Sequence, residues 1–380
     1  MSLSASLSVS LDVSAIPDPP RGAGRYVTEL VRALDRTGEI RLYLFARRGD
    51  GSRWAELAPG AEVLAVVPPA RPVRLGWEQL VLPRRLRHLR IAVHHSPHYT
   101  MPERSSRPVV VTIHDCTYFD HPEWHERSKV LVFRRAMRVS ARRAAELVCV
   151  SGVTAAEFER LCAPTAPVSV IPHGVDHDRF RPDEPAPGAD AAALAAAGVR
   201  PPYVAFVGTV EPRKDIPTLV AAYDRVATDH PDLRLVLAGG AGWGRAAQQL
   251  DDAVAASPHR DRILRTGFLP EPALPALLRN AAAVAYPSLA EGFGLPALEA
   301  LACGAPLVTT AGSAMAEVAG SAARLVPPGD VSALAEALRG LLAARPDPAP
   351  GLQHSRAYTW EACADAHLRV YRRAADRLVT

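Results

Sequence analysis

The amino-acid sequence predicts an α/β protein made of two doubly wound domains, each with a parallel sheet covered by helices. Short apolar runs of strand length alternate with amphipathic helical segments along most of the 380-residue chain, and this order is typical of parallel βαβ units. A polar, proline-rich stretch, RFRPDEPAPGAD (179–190), interrupts the alternation and marks a domain boundary. The length points the same way, because a single hydrophobic core rarely serves a chain of this size.

The composition is typical of a soluble globular protein that stays in the cytoplasm. Apolar residues make up 48% of the chain, and no apolar run approaches the ~18 residues of a membrane span. No basic region precedes the apolar N-terminal stretch, so we expect no signal peptide. The five cysteines are odd in number and lack metal-type spacing, which favours free thiols in a reducing compartment.

The first unit of the N-terminal domain is a strand, a glycine loop and a helix. Residues 6–13 (SLSVSLDV) alternate as a strand does, and a turn-rich segment separates them from an amphipathic helix over residues 25–34. Gly22 and Gly24 would allow the backbone to approach an anionic group near the start of this helix. A plain tight turn is the alternative, since a G-x-G pattern alone is weakly specific.

Histidines follow two of the later strands in this domain. Strands are predicted at residues 40–46, 62–67, 91–95, 109–114, 146–151 and 168–172. His94, His95 and His98 fall at the end of one strand, and their spacing without a carboxylate argues against a metal site, which leaves cleft lining or ordinary loop chemistry. His114 ends a buried strand, VVVTIH, at the edge where parallel sheets carry functional loops. It is either a cleft histidine or one satisfied by backbone partners.

A basic amphipathic helix is predicted over residues 125–146. Its apolar stripe consists of Val130, Phe133, Met137, Ala141 and Ala144, and its arginine face of Arg127, Arg134, Arg138 and Arg142. A core-facing helix with a solvated charged face explains this pattern best, because the stripe is narrow and lacks the bulky aromatic residues of an interfacial anchor. Contact with an anionic membrane is the alternative. Nucleic-acid binding is not predicted, since no aromatic stacking pattern accompanies the charge.

The second domain opens with a strand over residues 203–207, a loop, and a helix that begins near Asp215. Arg213 and Lys214 stand just ahead of that helix, so fixed cations and free helix N–H groups come together. This combination suits a diphosphate and would stabilise its charge without a metal ion. A later glycine stretch, GGAGWG (239–244), does not follow the G-x-G-x-x-G order, so a nicotinamide site is not predicted.

The most informative stretch is YPSLAEGFGLPALEALACGAPLVTT (286–310), in which a glycine loop leads into a short helix with Pro296 at its first position. Such a helix start presents free N–H groups and a positive dipole end, which suits phosphate. Glu291 lies just before the helix and Glu299 projects from its first turn, so both can face one ligand. Carboxylates beside a phosphate site are best explained as binders of sugar or ribose hydroxyls. Acids placed only to complement the helix dipole would not require the loop glycines.

The E-x7-E spacing of Glu291 and Glu299 resembles the signature of retaining glycosyltransferases with the GT-B fold, family 4 in particular. The resemblance implies that Glu291 contacts the donor sugar and that Glu299 holds the nucleotide ribose. It implies a phosphate and sugar loop made of Gly292, Phe293, Gly294 and Leu295. It also implies two Rossmann-like domains facing a cleft, with a C-terminal helix over residues 358–378 that crosses back to the N-terminal domain.

Other stretches carry the same resemblance. Residues 208–214 resemble the family's G-R-x-x-x-R-K stretch, although Thr209 stands where many members place an arginine. The implied donor-binding residues outside the E-x7-E block are Gly208, Thr209, the backbone around Leu269, and the loop glycines Gly22 and Gly24. The implied catalytic residues are Glu291, Lys214, Arg213 and His114, the last as the cleft histidine that faces the donor sugar.

The resemblance implies an acceptor-side domain over residues 1–177, a nucleotide-sugar domain over 178–355 and a returning helix over 356–380. The expected activity is retaining hexose transfer, with mannose as the best match because HDCTYFDHPEW (114–124) looks like a stretch of bacterial mannosyltransferases. A GDP- or UDP-sugar would be the donor, and no metal or other cofactor would be required. The acceptor would be a saccharide or lipid-linked molecule of cell-surface polysaccharide, met at the inner face of an anionic membrane. The alternatives are a GT-B nucleotide-sugar epimerase and a non-catalytic nucleotide-sugar-binding protein.

Overall fold

The computed structural model describes residues 7–18, 20, 22–242 and 244–377, and the chain forms two compact units. Unit 1 consists of residues 1–174 together with residues 360–380, and unit 2 consists of residues 175–359. The sequence-based division was placed after residue 177.

Unit 1 is built on a parallel sheet with the strand order 3-2-1-4-5-6-7 among the described residues. Its strands are β1 (Leu7–Asp12), β2 (Ile40–Arg47), β3 (Glu62–Val67), β4 (Val93–Ser96), β5 (Val109–Ile113), β6 (Glu146–Cys149) and β7 (Val168–Val170). Its helices before the domain boundary are α1 (Ala23–Thr37), α2 (Gly51–Leu57), α3 (Arg71–Leu80), α4 (Leu82–His88), α5 (Thr117–Asp120), α6 (Arg127–Arg143) and α7 (Gly152–Cys162).

The strands of unit 1 form where the sequence has short apolar runs. Every residue of β5 is buried, as expected for a central strand of a parallel sheet with helices on both faces. The predicted first strand begins at Ser6, which lies outside the described residues, and the described part of it is β1. The strand order reverses between β1 and β4, and in doubly wound folds ligands bind beyond the carboxyl ends of the strands at such a point.

Unit 2 has a second parallel sheet with the strand order 10-9-8-11-12-13 among the described residues. Its strands are β8 (Tyr203–Val207), β9 (Arg234–Ala238), β10 (Ile263–Gly267), β11 (Ala283–Tyr286), β12 (Leu307–Thr310) and β13 (Ala323–Val326). Its helices are α8 (Ala189–Ala196), α9 (Ile216–Ala227), α10 (Gly244–Ala256), α11 (Ala273–Arg279), α12 (Leu295–Ala302), α13 (Ala314–Ala319), α14 (Val331–Ala343) and α15 (Ala349–Ser355).

At the reversal point of unit 2, where β8 and β11 are neighbours, β8 has the bounds that the sequence predicts. The edge strand β13 was not predicted. It is four residues long and only its last residue is buried, so its sequence shows neither a buried apolar run nor an alternation. Pairing with β12, a tertiary contact, makes it a strand.

The last helix, α16 (Trp360–Asp376), belongs to unit 1 and is attached to it by buried hydrogen bonds as well as apolar packing. His367 Nε2 lies 2.9 Å from the hydroxyl of Tyr26, and His95 Nδ1 lies 2.8 Å from the hydroxyl of Tyr371. Polar contacts of this kind specify one docking position, because a shifted helix would leave buried polar groups unpaired. The expected return of the C-terminal helix to the N-terminal domain is confirmed.

Candidate active site

Glu291 forms ion pairs with two cations, and these residues come from the loops after β11 and β8. Its Oε2 accepts a hydrogen bond from Arg213 Nη1, and its Oε1 accepts one from Lys214 Nζ. Arg213 also donates through Nε to Glu211 Oε2 at 2.7 Å. The side chains of Glu291 and Lys214 are each only 7% exposed. The three catalytic residues predicted for the second domain therefore form one charge cluster, in which Glu291 and Lys214 are buried and Arg213 is partly exposed.

The cluster holds Glu291 in its charged form. Burial favours the neutral acid and raises the pKa of Glu291, but the charges of Arg213 and Lys214 and their hydrogen bonds outweigh burial, so this pKa falls to about 2. Burial is the largest influence on Lys214 and lowers its pKa, against the opposing effect of Glu291. With Glu211 included, two acids face two cations. A diphosphate bound here would compete with these acids for the cations.

Backbone geometry fixes the two cations. A 3₁₀ turn over Pro212–Lys214 follows β8, and Asp215, with a φ of 46°, then turns the chain into α9. Asp tolerates this left-handed conformation better than most residues because its short side chain bonds locally, here to Thr218. The N–H of Leu289 donates to the carbonyl oxygen of Arg213 at 2.7 Å and joins this turn to the loop after β11. The cluster thus lies where the strand order of unit 2 reverses.

Gly294 precedes α12 with a φ of 111°, a conformation that residues with a side chain rarely adopt. A Cβ on Gly294 would also lie 2.6 Å from Met315 Cγ. The helix starts at Leu295, one residue earlier than predicted, because Gly294 takes the non-helical capping position. Pro296 is therefore the second helical residue and Glu299 the fifth. Glu299 lies just beyond the first turn, whereas the sequence predicts it within that turn. Its side chain is buried.

Glycines after β8 and β9 let the two loops pack backbone against backbone. A Cβ on Gly239 would lie 2.3 Å from the carbonyl oxygen of Gly208, so a side chain cannot be placed there. The N–H of Val210 donates to the carbonyl oxygen of Gly240 at 3.0 Å. A Cβ on Gly240 would lie 3.4 Å from Thr209 Cγ2. The path of the loop that carries Gly208 and Thr209 is therefore set by its packing against the loop after β9.

The remaining predicted donor residue of this unit, Leu269, lies in the loop after β10 and is half-buried. Phe268 beside it is 57% exposed, and its Cζ would lie 3.1 Å from a Cβ on Gly240. Gly292 and Phe293 lie in the loop between Glu291 and α12, and Phe293 is buried. The predicted donor residues of unit 2 thus come from the carboxyl ends of β8, β10 and β11.

Two hydroxyl groups at this site were not predicted. The hydroxyl of Tyr286 and Oγ of Ser288 are buried and have no hydrogen-bond partner within the part of the chain that the structure describes. Burial, followed by the charge of Glu299, raises the pKa of Tyr286, so its hydroxyl keeps its proton and can donate. The sequence signal was weak, because a tyrosine at the end of an apolar strand is often an ordinary core residue.

In unit 1, His114 follows β5 and is buried. Its Nε2 donates to the carbonyl oxygen of Pro97 at 2.7 Å, which leaves Nδ1 of the neutral ring as an acceptor. Burial is the main cause that lowers the pKa of His114. Tyr26 and Tyr99 contact the ring edge-on, with centroids 5.3 and 5.8 Å away. The ring can therefore accept a hydrogen bond but does not serve as a fixed cation.

His94 and His95 lie within β4, and hydrogen bonds hold their rings in the core. His94 Nδ1 lies 2.8 Å from Ser10 Oγ, and His95 Nε2 lies 2.8 Å from Thr112 Oγ1. Burial lowers the pKa of both rings, to about 3 for His94. A cleft-lining role is therefore wrong for these two histidines. Among the described residues, no group of three or more His, Cys, Asp or Glu side chains could hold a metal ion.

Gly22 and Gly24 have different roles at the start of α1. Gly22 precedes the helix with a φ of 50°, and a Cβ there would meet open space. Gly24 lies in the first turn, where a Cβ would approach Ile16 Cγ2 to 3.3 Å and Pro20 Cβ to 3.5 Å. Close packing against the preceding loop explains Gly24, so the open backbone at Gly22 is the part of this loop that a ligand can reach.

The predicted basic helix is α6, and its apolar stripe is packed. Val130, Met137 and Ala141 are buried. Arg134 is not simply solvated, because it donates to two carbonyl oxygens of α5 at 2.7 and 3.1 Å. Leu131, by contrast, is 72% exposed. No helix in the described part of the chain is both long and apolar enough to cross a membrane.

Two family models match the chain, one on each half. The model described as Glycosyltransferase Family 4 matches residues 20–179, and the model described as Glycosyl transferases group 1 matches residues 195–352. The first match contains His114, and the second contains the Glu291 cluster and Glu299. Together the two models cover most of the chain.

Among similar sequences, the O-antigen chain mannosyltransferase B of Escherichia coli is 30% identical over 384 residues, which span 93% of this chain and 96% of that protein. The D-inositol 3-phosphate glycosyltransferase of Mycobacterium avium is 38% identical over 232 residues, 57% of this chain and about half (52%) of that protein.

Among solved structures, sucrose-phosphate synthase from Thermosynechococcus elongatus shares the fold with a TM-score of 0.77 and 22% identity, over 96% of this chain and 98% of that chain. HepE of Anabaena, solved in complex with UDP and glucose, has a TM-score of 0.73 and 17% identity, over 96% of this chain and 99% of that chain. The nearly full-length relative, the two family models and the shared fold agree: the chain belongs to the family 4 glycosyltransferases with the GT-B fold.

Proposed function

We propose that the chain is a retaining hexosyltransferase that moves mannose from a nucleoside diphosphate sugar to a saccharide or lipid-linked acceptor in cell-surface glycan assembly. The observation that carries this proposal is the ion-pair cluster of Glu291, Arg213 and Lys214 ahead of α12. The name of the Escherichia coli relative supports mannose and glycan assembly. The UDP in the HepE structure supports a nucleotide sugar, of the GDP or UDP type, as donor.

The donor diphosphate would bind at Arg213 and Lys214 and at the N-termini of α9 and α12. Negative charge develops on the diphosphate as its bond to the sugar breaks, and cations already in place stabilise this charge without reorganisation. Because the diphosphate competes with Glu291 for the same cations, donor binding would free part of the Glu291 carboxylate to bind sugar hydroxyls. This chemistry requires no metal ion and no other cofactor.

A front-face reaction accounts for retention of configuration. The acceptor hydroxyl forms its bond to the anomeric carbon on the face from which the phosphate leaves, and the departing phosphate oxygen takes the hydroxyl proton. Glu291, held ionised by its two cations, would bind sugar hydroxyls and would not attack the anomeric carbon. His114 would support the developing positive charge of the sugar through Nδ1 or through its backbone carbonyl.

We also propose a cytoplasmic location with peripheral contact to the inner face of an anionic membrane through α6. The exposed Leu131 and the exposed Arg142 on this helix support such a contact. Nucleic acid is not a proposed partner, because the basic residues of α6 lack an accompanying set of stacking aromatics.

A panel of GDP- and UDP-hexoses tests the proposed reaction. The full chain is incubated with each donor, with and without methyl α-mannopyranoside as acceptor, and free nucleotide and the anomeric configuration of the product are followed by proton NMR. We expect acceptor-dependent nucleotide release with a GDP- or UDP-hexose and an α-linked product from an α-linked donor. Mass spectrometry should show no sugar attached to Glu291.

Other outcomes identify the alternatives. An inverted product or a sugar adduct on Glu291 would contradict the front-face mechanism. An isomerised sugar nucleotide without nucleotide release would indicate an epimerase. Donor binding without either reaction, across the panel and a set of lipid-linked acceptors, would indicate a binding protein.

A further inference from the structure

Tyr99 lies in the loop after β4 and has a backbone conformation that is unusual for its residue type. Its φ is 53°, in the left-handed region that residues with a side chain rarely adopt. Tyr99 is only 8% exposed, and such a conformation persists where the surrounding structure holds it, often at a functional site. Asp215, which turns the chain beside Lys214, is another residue of this kind. The sequence motifs give Tyr99 no role.

Both backbone polar groups of Tyr99 are bonded to other elements of unit 1. Its N–H donates to the carbonyl oxygen of Thr112 in β5 at 3.2 Å. Its carbonyl oxygen accepts a hydrogen bond from Ser140 Oγ on α6 at 2.8 Å, and Ser140 is fully buried. The sheet and α6 therefore hold the backbone of Tyr99 from two sides.

The same loop holds the ring of His114. The carbonyl oxygen of Pro97 accepts the hydrogen bond from His114 Nε2 at 2.7 Å. Two residues further along the loop, the ring of Tyr99 meets the His114 ring edge-on, with centroids 5.8 Å apart and an angle of 79° between the ring planes. Tyr26 makes a second edge contact at 5.3 Å. The direction of Nδ1, the acceptor atom of His114, therefore depends on the position of this loop.

The hydroxyl of Tyr99 holds the residue that follows His114 in the chain. It donates to Asp115 Oδ2 at 3.1 Å. The other oxygen, Asp115 Oδ1, accepts from the N–H and the hydroxyl of Thr117 at 3.1 and 2.7 Å. Burial, followed by the charge of Asp115, raises the pKa of Tyr99, so its hydroxyl keeps the proton that it donates. Tyr99 thus contacts both His114 and Asp115.

Other aromatic rings support the ring of Tyr99. Phe133 of α6 and Tyr118 of α5 meet it edge-on, with centroids 5.5 and 5.9 Å away. The ring of Tyr99 cannot move away from His114 without losing these contacts. Core packing alone does not explain the residue, because an apolar side chain on an ordinary backbone would fill the space without a bond to Asp115.

We propose that Tyr99 is a positioning residue for His114: its ring sets the orientation of the His114 ring, its hydroxyl holds Asp115, and Ser140 holds Tyr99 in turn. The effect of Tyr99 on the reaction rate rests on the function proposed above, in which His114 supports the sugar as its bond breaks. The orientation of His114 does not rest on that function. Tyr99 acts through His114 and requires no contact with the sugar.

NMR of the full chain with ¹⁵N-labelled histidine tests the orientation of His114 without donor or acceptor. The ring nitrogen signals of His114 are assigned by their absence from the spectrum of His114→Gln. In the wild type they should show one neutral tautomer with the proton on Nε2. Tyr99→Leu should shift both signals toward a mixture of tautomers and leave those of His94 in place. Tyr203→Phe, at a buried tyrosine of unit 2, is the matched control and should leave the signals of His114 unchanged.

Steady-state kinetics separate positioning from a general structural role. Tyr99→Phe and Ser140→Ala should each lower kcat by about 3- to 10-fold, the range for one lost hydrogen bond. Tyr99→Leu should lower kcat by about 10-fold or more, because the His114 ring is then misplaced. In the His114→Ala background, Tyr99→Leu should cost less than about twofold, because residues that act through one another are not additive. Tyr203→Phe loses a hydrogen bond of 2.9 Å to the carbonyl oxygen of Leu277 and should keep its kcat.

Unchanged His114 signals in Tyr99→Leu would overturn the proposal, and so would equal losses of kcat from Tyr99→Leu in the wild-type and His114→Ala backgrounds. Thermal unfolding checks each variant, and Tyr99→Phe, the milder change, carries the kinetic test if Tyr99→Leu does not fold. The NMR result does not depend on catalysis. A chain in which Tyr99→Leu shifts the His114 signals but which transfers no sugar would contradict the proposed reaction and leave the positioning of His114 standing.

Discussion

The two units have the same kind of sheet, and their crevices at the point of strand reversal differ in charge. Between β8 and β11, Glu291 lies against Arg213 and Lys214, and its pKa falls to about 2. Between β1 and β4, burial and the nearby charge of Asp12 raise the pKa of Glu78 to about 8. The topology therefore decides where each crevice forms, and the balance of burial against neighbouring charges decides which carboxyl group stays ionised.

The units also differ in their buried histidines. Six histidines of unit 1 have pKa values lowered mainly by burial, namely His94, His95, His98, His114, His173 and His367. Several of them are neutral hydrogen-bonding groups that join strands or attach α16. Acid should therefore act on unit 1 before it acts on the Glu291 cluster of unit 2.

The largest expected effect is a loss of stability of unit 1 between pH 6.5 and pH 4. The pKa of His98 falls to about 3 and that of His367 to about 4 in the folded state. Between pH 6.5 and pH 4 the unfolded state therefore binds more protons than the folded state, and the free energy of unfolding decreases as the pH is lowered. The loss is up to about 3 kcal/mol for each such histidine. Glu78 acts in the opposite direction, since its raised pKa favours the folded state at low pH, but the histidines outnumber it.

Hydrogen exchange measures the loss of stability of each unit as the pH is lowered. Protection of the amides in β4 and β5 is compared with protection in β11 and β12, after correction for the intrinsic exchange rate at each pH. Protection in unit 1 should fall first. The stability that the Glu291 ion pairs contribute should begin to fall only below about pH 4.5, the unfolded pKa, and should be lost as the pH approaches the folded pKa of about 2. His367→Gln should reduce the pH dependence of unit 1, and the exposed His88→Gln should not. Equal loss of protection in both units would contradict the comparison.

The second effect is catalytic and belongs to unit 2. Glu291→Ala should lower kcat by about 10² or more, as expected when a preorganised electrostatic contact is removed. Glu291→Gln preserves the shape of the side chain and should also be slow, because it cannot pair with both cations. Steady-state kinetics at saturating donor measure kcat, and thermal unfolding separates lost activity from lost stability. Glu336→Ala, exposed on α14, is the matched control. Near-normal turnover of Glu291→Ala would remove Glu291 from the proposed mechanism.

A smaller effect concerns the membrane. Binding of the chain to phosphatidylserine vesicles should be weak and should disappear at high salt, because surface charges are screened within about 10 Å at 0.1 M salt. Several arginines of α6 already have partners within unit 1, among them Arg134 with carbonyl oxygens and Arg135 with Glu103. Arg142→Gln should reduce vesicle sedimentation at low salt, and the exposed Arg324→Gln in unit 2 should not. Sedimentation that survives high salt and is abolished by Leu131→Ser would show insertion instead.

The smallest expected effect is that of metal removal. Turnover should survive a chelator, because Arg213 and Lys214 offset the diphosphate charge. Nucleotide release in excess EDTA, compared with untreated enzyme, is the measurement. Activity that is lost in EDTA and restored by magnesium or manganese would show that the cations of unit 2 are not sufficient.

The sequence by itself determined the elements and the donor motifs. Apolar runs and helical periodicity are local properties, so β3 and β8 could be bounded to the residue. The fixed spacing of Glu291 and Glu299 around a glycine loop is also local, and so is the position of Arg213 and Lys214 ahead of a helix. The short edge strand β13 was not predicted, because its sequence has no strand pattern of its own and it is a strand only through pairing with β12.

Only the tertiary structure decided which side chains share an environment. The pairing of Glu291 with Lys214, the approach of Asp12 to Glu78, and the burial of His94 and His95 in the core all depend on strand order. Strand order brings together residues far apart in the chain, and no local pattern encodes it. The pKa of a carboxyl group follows from such contacts and from burial, and for that reason the sequence could identify Glu291 but could not identify Glu78.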